Sequence, residues 1–169
     1  MGQTGKDVYV IDASIIIEFY NVGALQDLFS LPGNFLVPDL AANEELQNAR
    51  QELLSFGTYC EATFNALEIS QLSQYVGRFP HLGLMDCSYL LLAERENAIL
   101  LTGDHVLRKT AEGEFGLKVH GTLWILDQLV RQKLRSRHYV AKLLEKMMSR
   151  PQCRLPREEC EKRLRDWRR

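Results

Sequence analysis

No stretch of this 169-residue chain approaches the roughly 18 consecutive apolar residues of a membrane span. The first residues, MGQTGKDV, lack the apolar core of a secretory signal, and Lys6 stands where a myristoylation pattern requires Ser or Thr. GQTGK also lacks the full Gly-x-x-x-x-Gly-Lys-Ser/Thr spacing of a phosphate loop. The four cysteines (Cys60, Cys87, Cys153, Cys160) form no Cys-x-x-Cys pair and have no His at zinc-finger spacing. Histidine is scarce too: His81, His105, His120 and His138 fall in different predicted elements, which argues against a zinc set. Internal repeats and low-complexity linkers are absent. These gaps predict a soluble, reduced, cytoplasmic protein with no membrane partner.

What the chain does have is apolar content, 46% of its residues, in a length that buries roughly 70% of the unfolded surface without disulfides or a structural metal. Its net charge of -1 hides an asymmetry. Residues 1–130 hold 7 Lys/Arg against 17 Asp/Glu, whereas residues 131–169 hold 14 against 5. An acidic body therefore carries a basic tail. Such a tail can contact nucleic acid through counterion release, or be a solvated helical surface, since Leu134, Val140, Leu143, Leu144 and Met147 recur in it at helical spacing.

Along the body, short β-branched apolar runs alternate with helical patterns. Strands are expected over 8–11, 35–37, within 62–69, 98–102 and 117–119. Helices are expected from residue 14, over 41–56, 70–76, 85–96, after His105, and over 122–132, with 135–148 and 158–167 in the tail. Alternation of this kind predicts an α/β fold with a mostly parallel central sheet covered on both faces, and a helical extension over 133–169.

Ligands of such sheets gather outside the carboxyl ends of the strands. Asp12 directly follows the first strand in VYVIDASIIIEFY, and Asp104 follows the strand in ILLTGDHVLRK, where Gly103 allows a sharp turn. Either is also a good helix N-cap, and capping alone accounts for a single Asp. Asp86 opens the helix of LMDCSYLLLAERENA, and its 18-residue separation from Asp104 suits a helix, a turn and a strand returning to one edge. A fourth acid comes from VPDLAANEEL. Glu44 and Glu45 point about 100° apart on a helix, so one of them faces the site. Distance from Pro38 favours Glu44, the acid-then-Leu pattern favours Glu45, and Glu44 is the choice made; Asp39 is a poorer candidate. Carboxylates gathered at one edge repel unless a cation neutralises them or their protonation shifts upward. Oxygen-only ligands suit Mg2+ or Mn2+, and the chemistry implied is phosphodiester hydrolysis.

The run VIDASIII, the acids near Glu44, the segment LMDCSYLLLAERENAILLTGDHVLRK and the following VHGTLWILDQLV together resemble a PIN-domain protein of the VapC-like group, over roughly residues 7–132. The resemblance implies a three-layer α/β/α fold and a Mg2+- or Mn2+-dependent endoribonuclease, with RNA as substrate. It further implies a homodimer, and a toxin partnered by an antitoxin. Carried over by position, Asp12, Asp86, Asp104 and Glu44 would hold the cation and act in catalysis. Ser14 and Thr102 would support them or cap helices, and Arg108 and Lys109 are candidate RNA phosphate contacts or else surface charges. Relatives often carry a further acid just after the Asp104 position, where this chain has His105, Val106, Leu107 and Arg108, which puts a second metal in doubt. The alternatives are a catalytically inactive PIN-like module that binds RNA or protein, and a phosphate-accepting receiver domain. The latter is disfavoured because Lys118 lies within the last strand rather than at its end.

Overall fold

The computed structural model describes residues 5–169. The chain runs β1 (Val8–Ile11), α1 (Ala13–Asn21), α2 (Leu25–Leu28), β2 (Asn34–Pro38), α3 (Asp39–Glu45), α4 (Arg50–Leu53) and β3 (Tyr59–Ala62). It continues through α5 (Ala66–Arg78), α6 (Leu84–Glu96), β4 (Ile99–Leu101), α7 (His105–Phe115), β5 (Val119–His120), α8 (Thr122–Arg131), α9 (Arg137–Met148) and α10 (Arg157–Arg168). The strands form one parallel sheet in the order β3-β2-β1-β4-β5, with helices around it in a three-layer α/β/α arrangement. No helix among the described residues is long and apolar enough to cross a membrane.

Strand order follows from burial. β1 is the central strand, and Val10 and Ile11 are fully buried, as a strand covered on both faces requires. Register aligns Tyr9 with Phe35 and Phe35 with Tyr59. Their rings share one face, where Tyr9 stacks on Phe35 at 5.1 Å and Phe29 meets Phe35 edge-on at 5.1 Å. Gly33 enters β2 at φ +146°, and a Cβ there would lie 2.7 Å from Tyr9 Cε2 and 2.8 Å from Asp7 O, so only glycine fits. α6 shows no polar stripe because Cys87 through Ala93 are all buried; it touches β1, β2 and β4 as well as α3, α5 and α7. Each of its buried leucines contributes about 1.5–3 kcal/mol of apolar burial. Asn97, in the left-handed conformation, ends it.

Two expected elements and one turn differ. The helix over 41–56 begins earlier, at Asp39 behind Pro38, and divides into α3 and α4; the break keeps Leu46, Ala49 and Leu53 all buried. The strand expected within 62–69 is instead Tyr59–Ala62, and residues from 66 onward belong to α5. The reason lies in Asn65, whose Oδ1 accepts from Glu68 N at 2.9 Å while Glu68 Oε2 accepts from Asn65 N at 2.8 Å. That reciprocal cap commits the chain to helix there. Gly103 has no positive φ, and a Cβ at it would meet nothing, so the turn before α7 does not demand glycine.

The basic stretch 133–169 packs into the same core. Val140, Leu144, Met147 and Cys160 are buried in it, and α9 lies between α8 and α10. Many of its charges are spent internally. Arg135 and Tyr139 both bond the buried carboxylate of Asp27, Arg163 pairs with Asp127 at 2.8 Å, Arg168 with Glu145, and Lys146 Nζ donates to Val22 O at 2.8 Å.

Candidate active site

Because β2 and β3 lie on one side of β1 and β4 and β5 on the other, the sheet changes winding direction between β1 and β4. The crevice beyond their carboxyl ends is the place where such sheets bind ligands. Asp12 N donates to Leu101 O at 2.8 Å, extending the β1–β4 ladder by one bond and fixing Asp12 at that crevice. Its Oδ1 accepts from Ser14 N at 3.0 Å, so it does cap α1. Its Oδ2 accepts from the hydroxyl of Thr102 at 2.8 Å, with Thr102 fully buried. Thr102 Oγ1 in turn accepts from Asp104 N at 3.0 Å, and Asp104 Oδ1 accepts from Leu107 N at 2.8 Å, capping α7. One hydroxyl thus links two aspartates that are 92 positions apart in the sequence.

These groups open onto a cavity of about 500 Å3, whose lining includes Asp12, Ser14, Glu18, Glu45, Asp86 and Asp104. Asp86, half-buried in the first turn of α6, accepts from Gly83 N at 3.3 Å. Burial first, then the charges of Asp104 and Asp12, push its carboxyl above the usual range, against the lowering effect of Gly83 N. Burial, then Asp12 and Asp86, push Glu45 the same way. Mutual repulsion of this kind is what closely placed carboxylates produce. Of the two glutamates on α3, Glu45 lines the cavity and Glu44 does not. The expectation fell on Glu44, whereas the glutamate that lines the cavity is Glu45. Helix α3 begins at Asp39, and its rotation turns Glu45 toward Asp12 and Asp86.

A family model described as a PIN domain matches residues 8–169. The chain belongs to the PIN-domain family. No curated protein matches it. The match spans the basic tail as well as the body, in keeping with the shared core, and PIN domains are generally nucleases.

In this PIN domain the donor set is all oxygen, and burial first, then the neighbouring carboxylates, hold Asp86 and Glu45 above their usual proton affinity, a cost that a hard divalent cation would relieve. The residue types thus fit Mg2+ or Mn2+. The acids line the cavity without closing on a point: among the described residues no three His, Cys, Asp or Glu side chains are gathered closely enough to hold an ion.

Of the other expected residues, Ser14 lines this cavity, and Arg108 lines an adjoining one with Thr102. Lys109 lines neither and borders a shallower depression with Glu112. Several lining residues carried no readable signal as site residues. Tyr89 is one: it is buried, and its hydroxyl accepts from Ala13 N at 3.0 Å, bracing the start of α1 beside Asp12. Arg150 and Arg154 reach the cavity from the segment after α9. Glu18 could have been found, since it lies four residues after Ser14 and so on the same face of α1. Burial pushes its carboxyl upward, opposed by a hydrogen bond with Thr122, and its Oε1 is buried without a partner among the described residues.

Proposed function

We propose that this PIN domain is a metal-dependent endoribonuclease of the VapC-like kind, hydrolysing RNA phosphodiester bonds in the acidic cavity. The observation that carries the reading is the lining of one cavity at the switch point of the sheet by Asp12, Glu45, Asp86 and Asp104. In this reading Asp12, Asp86 and Asp104, with Glu45, hold Mg2+ or Mn2+. The bound cation would neutralise the carboxylates and the attacked phosphate and make water a nucleophile at neutral pH.

The remaining work belongs to the chain. Ser14 N and the Thr102 hydroxyl fix both oxygens of Asp12, so its orientation is set before substrate arrives. Leu107 N fixes Oδ1 of Asp104 and leaves its Oδ2 without a protein donor among the described residues. Asp86 and Glu45 face the same cavity from α6 and α3, and a carboxylate oxygen of either that is not on the cation would accept the proton of the attacking water. Arg150 and Arg154, on the same cavity, supply positive charge to a phosphodiester that the acids would otherwise repel.

The test is cleavage of single-stranded and structured RNA with Mg2+ or Mn2+ by the wild-type chain and by Asp104→Asn. Asn keeps the oxygen that caps α7, so a folded but inactive variant is expected. Cleavage that persists in Asp104→Asn would sink the assigned site, and RNA binding by a wild-type chain that never cleaves would match the inactive module. The toxin role extends this reading: wild-type expression should arrest growth and Asp104→Asn should not.

A further inference from the structure

A second cavity, of about 620 Å3, adjoins the acidic one and shares Ser14, Glu18, Gly103 and Arg154 with it, so the two form one trough. Its chemistry is different. Glu18 is the one acid in its lining, which otherwise carries Arg108 and Arg154, His105, and the aromatic pair His120 and Trp124. The two rings stack at 4.1 Å between centroids and 3° between planes. Burial, and then the charge of Arg108, hold the His120 ring below its usual proton affinity, so the pair is a neutral aromatic wall at neutral pH. Arg154 is exposed and makes no ion pair or hydrogen bond among the described residues, unlike Arg135, Arg157, Arg163 and Arg168 of the same tail. Arg108 has only a 4.0 Å contact with the exposed Glu112. Two weakly engaged guanidinium groups and an aromatic wall are the parts of a site for a nucleotide: planar cations for phosphate, a π face for the base. The volume lies within the range of small-ligand sites.

We infer that this second cavity holds one unpaired nucleotide of the RNA strand flanking the cleaved bond, its base against the His120–Trp124 wall and its phosphate between Arg108 and Arg154. The inference rests on the acidic cavity being the nuclease centre. A base held in a duplex cannot enter, so the site selects single-stranded substrate. Gly103 lines both cavities, and even a Cβ added there would meet no neighbour.

The chain contains two tryptophans, Trp124 and Trp167. In a Trp167→Phe, Asp104→Asn chain, emission reports Trp124 alone and the oligonucleotide survives the titration. Adding a short single-stranded oligoribonucleotide in Mg2+ should change that emission saturably, and the same strand in a duplex should not. Arg154→Ala, an exposed position that should not disturb folding, should weaken binding about tenfold or more and make the log–log salt dependence shallower by about 0.7, one phosphate contact fewer. Arg108→Ala should act likewise. Unchanged emission, or equal affinity and salt slope in both arginine variants, would overturn the inference. If wild-type cleavage depends on metal and on Asp104 while Trp124 stays silent, the nuclease reading stands and only this site fails. An emission response in a chain that never cleaves would overturn the nuclease reading and with it the placement of this nucleotide beside a cleaved bond.

Discussion

Thr102→Val removes one oxygen from the interior and keeps the side-chain shape. That oxygen donates to Asp12 Oδ2 at 2.8 Å and accepts from Asp104 N at 3.0 Å, in a residue with no exposed surface. Hydrogen bonds to a charged group contribute about 1.5–3 kcal/mol, and neutral ones about 0.5–1.5. Asp12 is only 7% exposed, so water replaces the lost donor poorly, whereas Asp104 is exposed and its N–H is more readily rehydrated. The expected loss is about 2–3 kcal/mol, close to the first bond plus a fraction of the second. For a chain of this size that lowers Tm by roughly 4–12 °C. Urea denaturation should show a lower midpoint with an unchanged slope. Thr102→Ser is the control, because it keeps the hydroxyl and loses one buried methyl, about 0.8 kcal/mol. RNA cleavage should fall in the Val variant and largely survive in the Ser variant. If the Val variant is no less stable than the Ser variant, the hydroxyl bridge between the two aspartates does not carry the role given to it.

Three further outcomes follow from particular contacts. Arg135→Ala strands the buried Asp27 carboxylate with Tyr139 as its remaining partner and should cost about 3 kcal/mol by thermal denaturation; an unchanged Tm would show that the tail is not anchored there. Glu18→Gln should stabilise the chain by about 1 kcal/mol at neutral pH. Burial raises the Glu18 proton affinity in the fold, so the wild-type contribution is complete below the ordinary carboxylate range and is lost as pH rises through the raised value. The advantage of the Gln variant should therefore shrink on acidification, and a pH-independent difference would contradict the assignment. Glu45→Gln should reduce cleavage strongly and Glu44→Gln little, measured by initial rates on one RNA; the reverse order would return the role to Glu44.

Much of this arrangement was legible in the sequence because it rests on local rules. VYVI, with β-branched and aromatic residues and no polar interruption, can hardly be other than a buried strand, and an Asp directly after it must emerge at the carboxyl edge. Asp104 followed by the same logic. Which of Glu44 and Glu45 faces the cavity depends on the phase of α3, which starts at Asp39, and one position turns a side chain by about 100°. The third strand was missed for a local reason that could be read: Asn65 and Glu68 form a reciprocal cap, so the helix claims residues once assigned to the strand. The contribution of the tail lay beyond local rules. Arg150 and Arg154 line the same cavity as Asp12 because α9, which precedes them, packs on α8, a contact fixed by long-range burial of Val140, Leu144 and Met147.

The claim on which the rest depends is that the acids beyond β1 and β4 form a divalent-cation site. Anomalous diffraction from crystals soaked in Mn2+ tests it most directly. The expected result is a peak in the acidic cavity with carboxylate oxygens of Asp12, Asp86, Asp104 or Glu45 about 2.0–2.2 Å from it. A fully ordered cavity with no peak at saturating Mn2+, or a peak held by other residues, would contradict it.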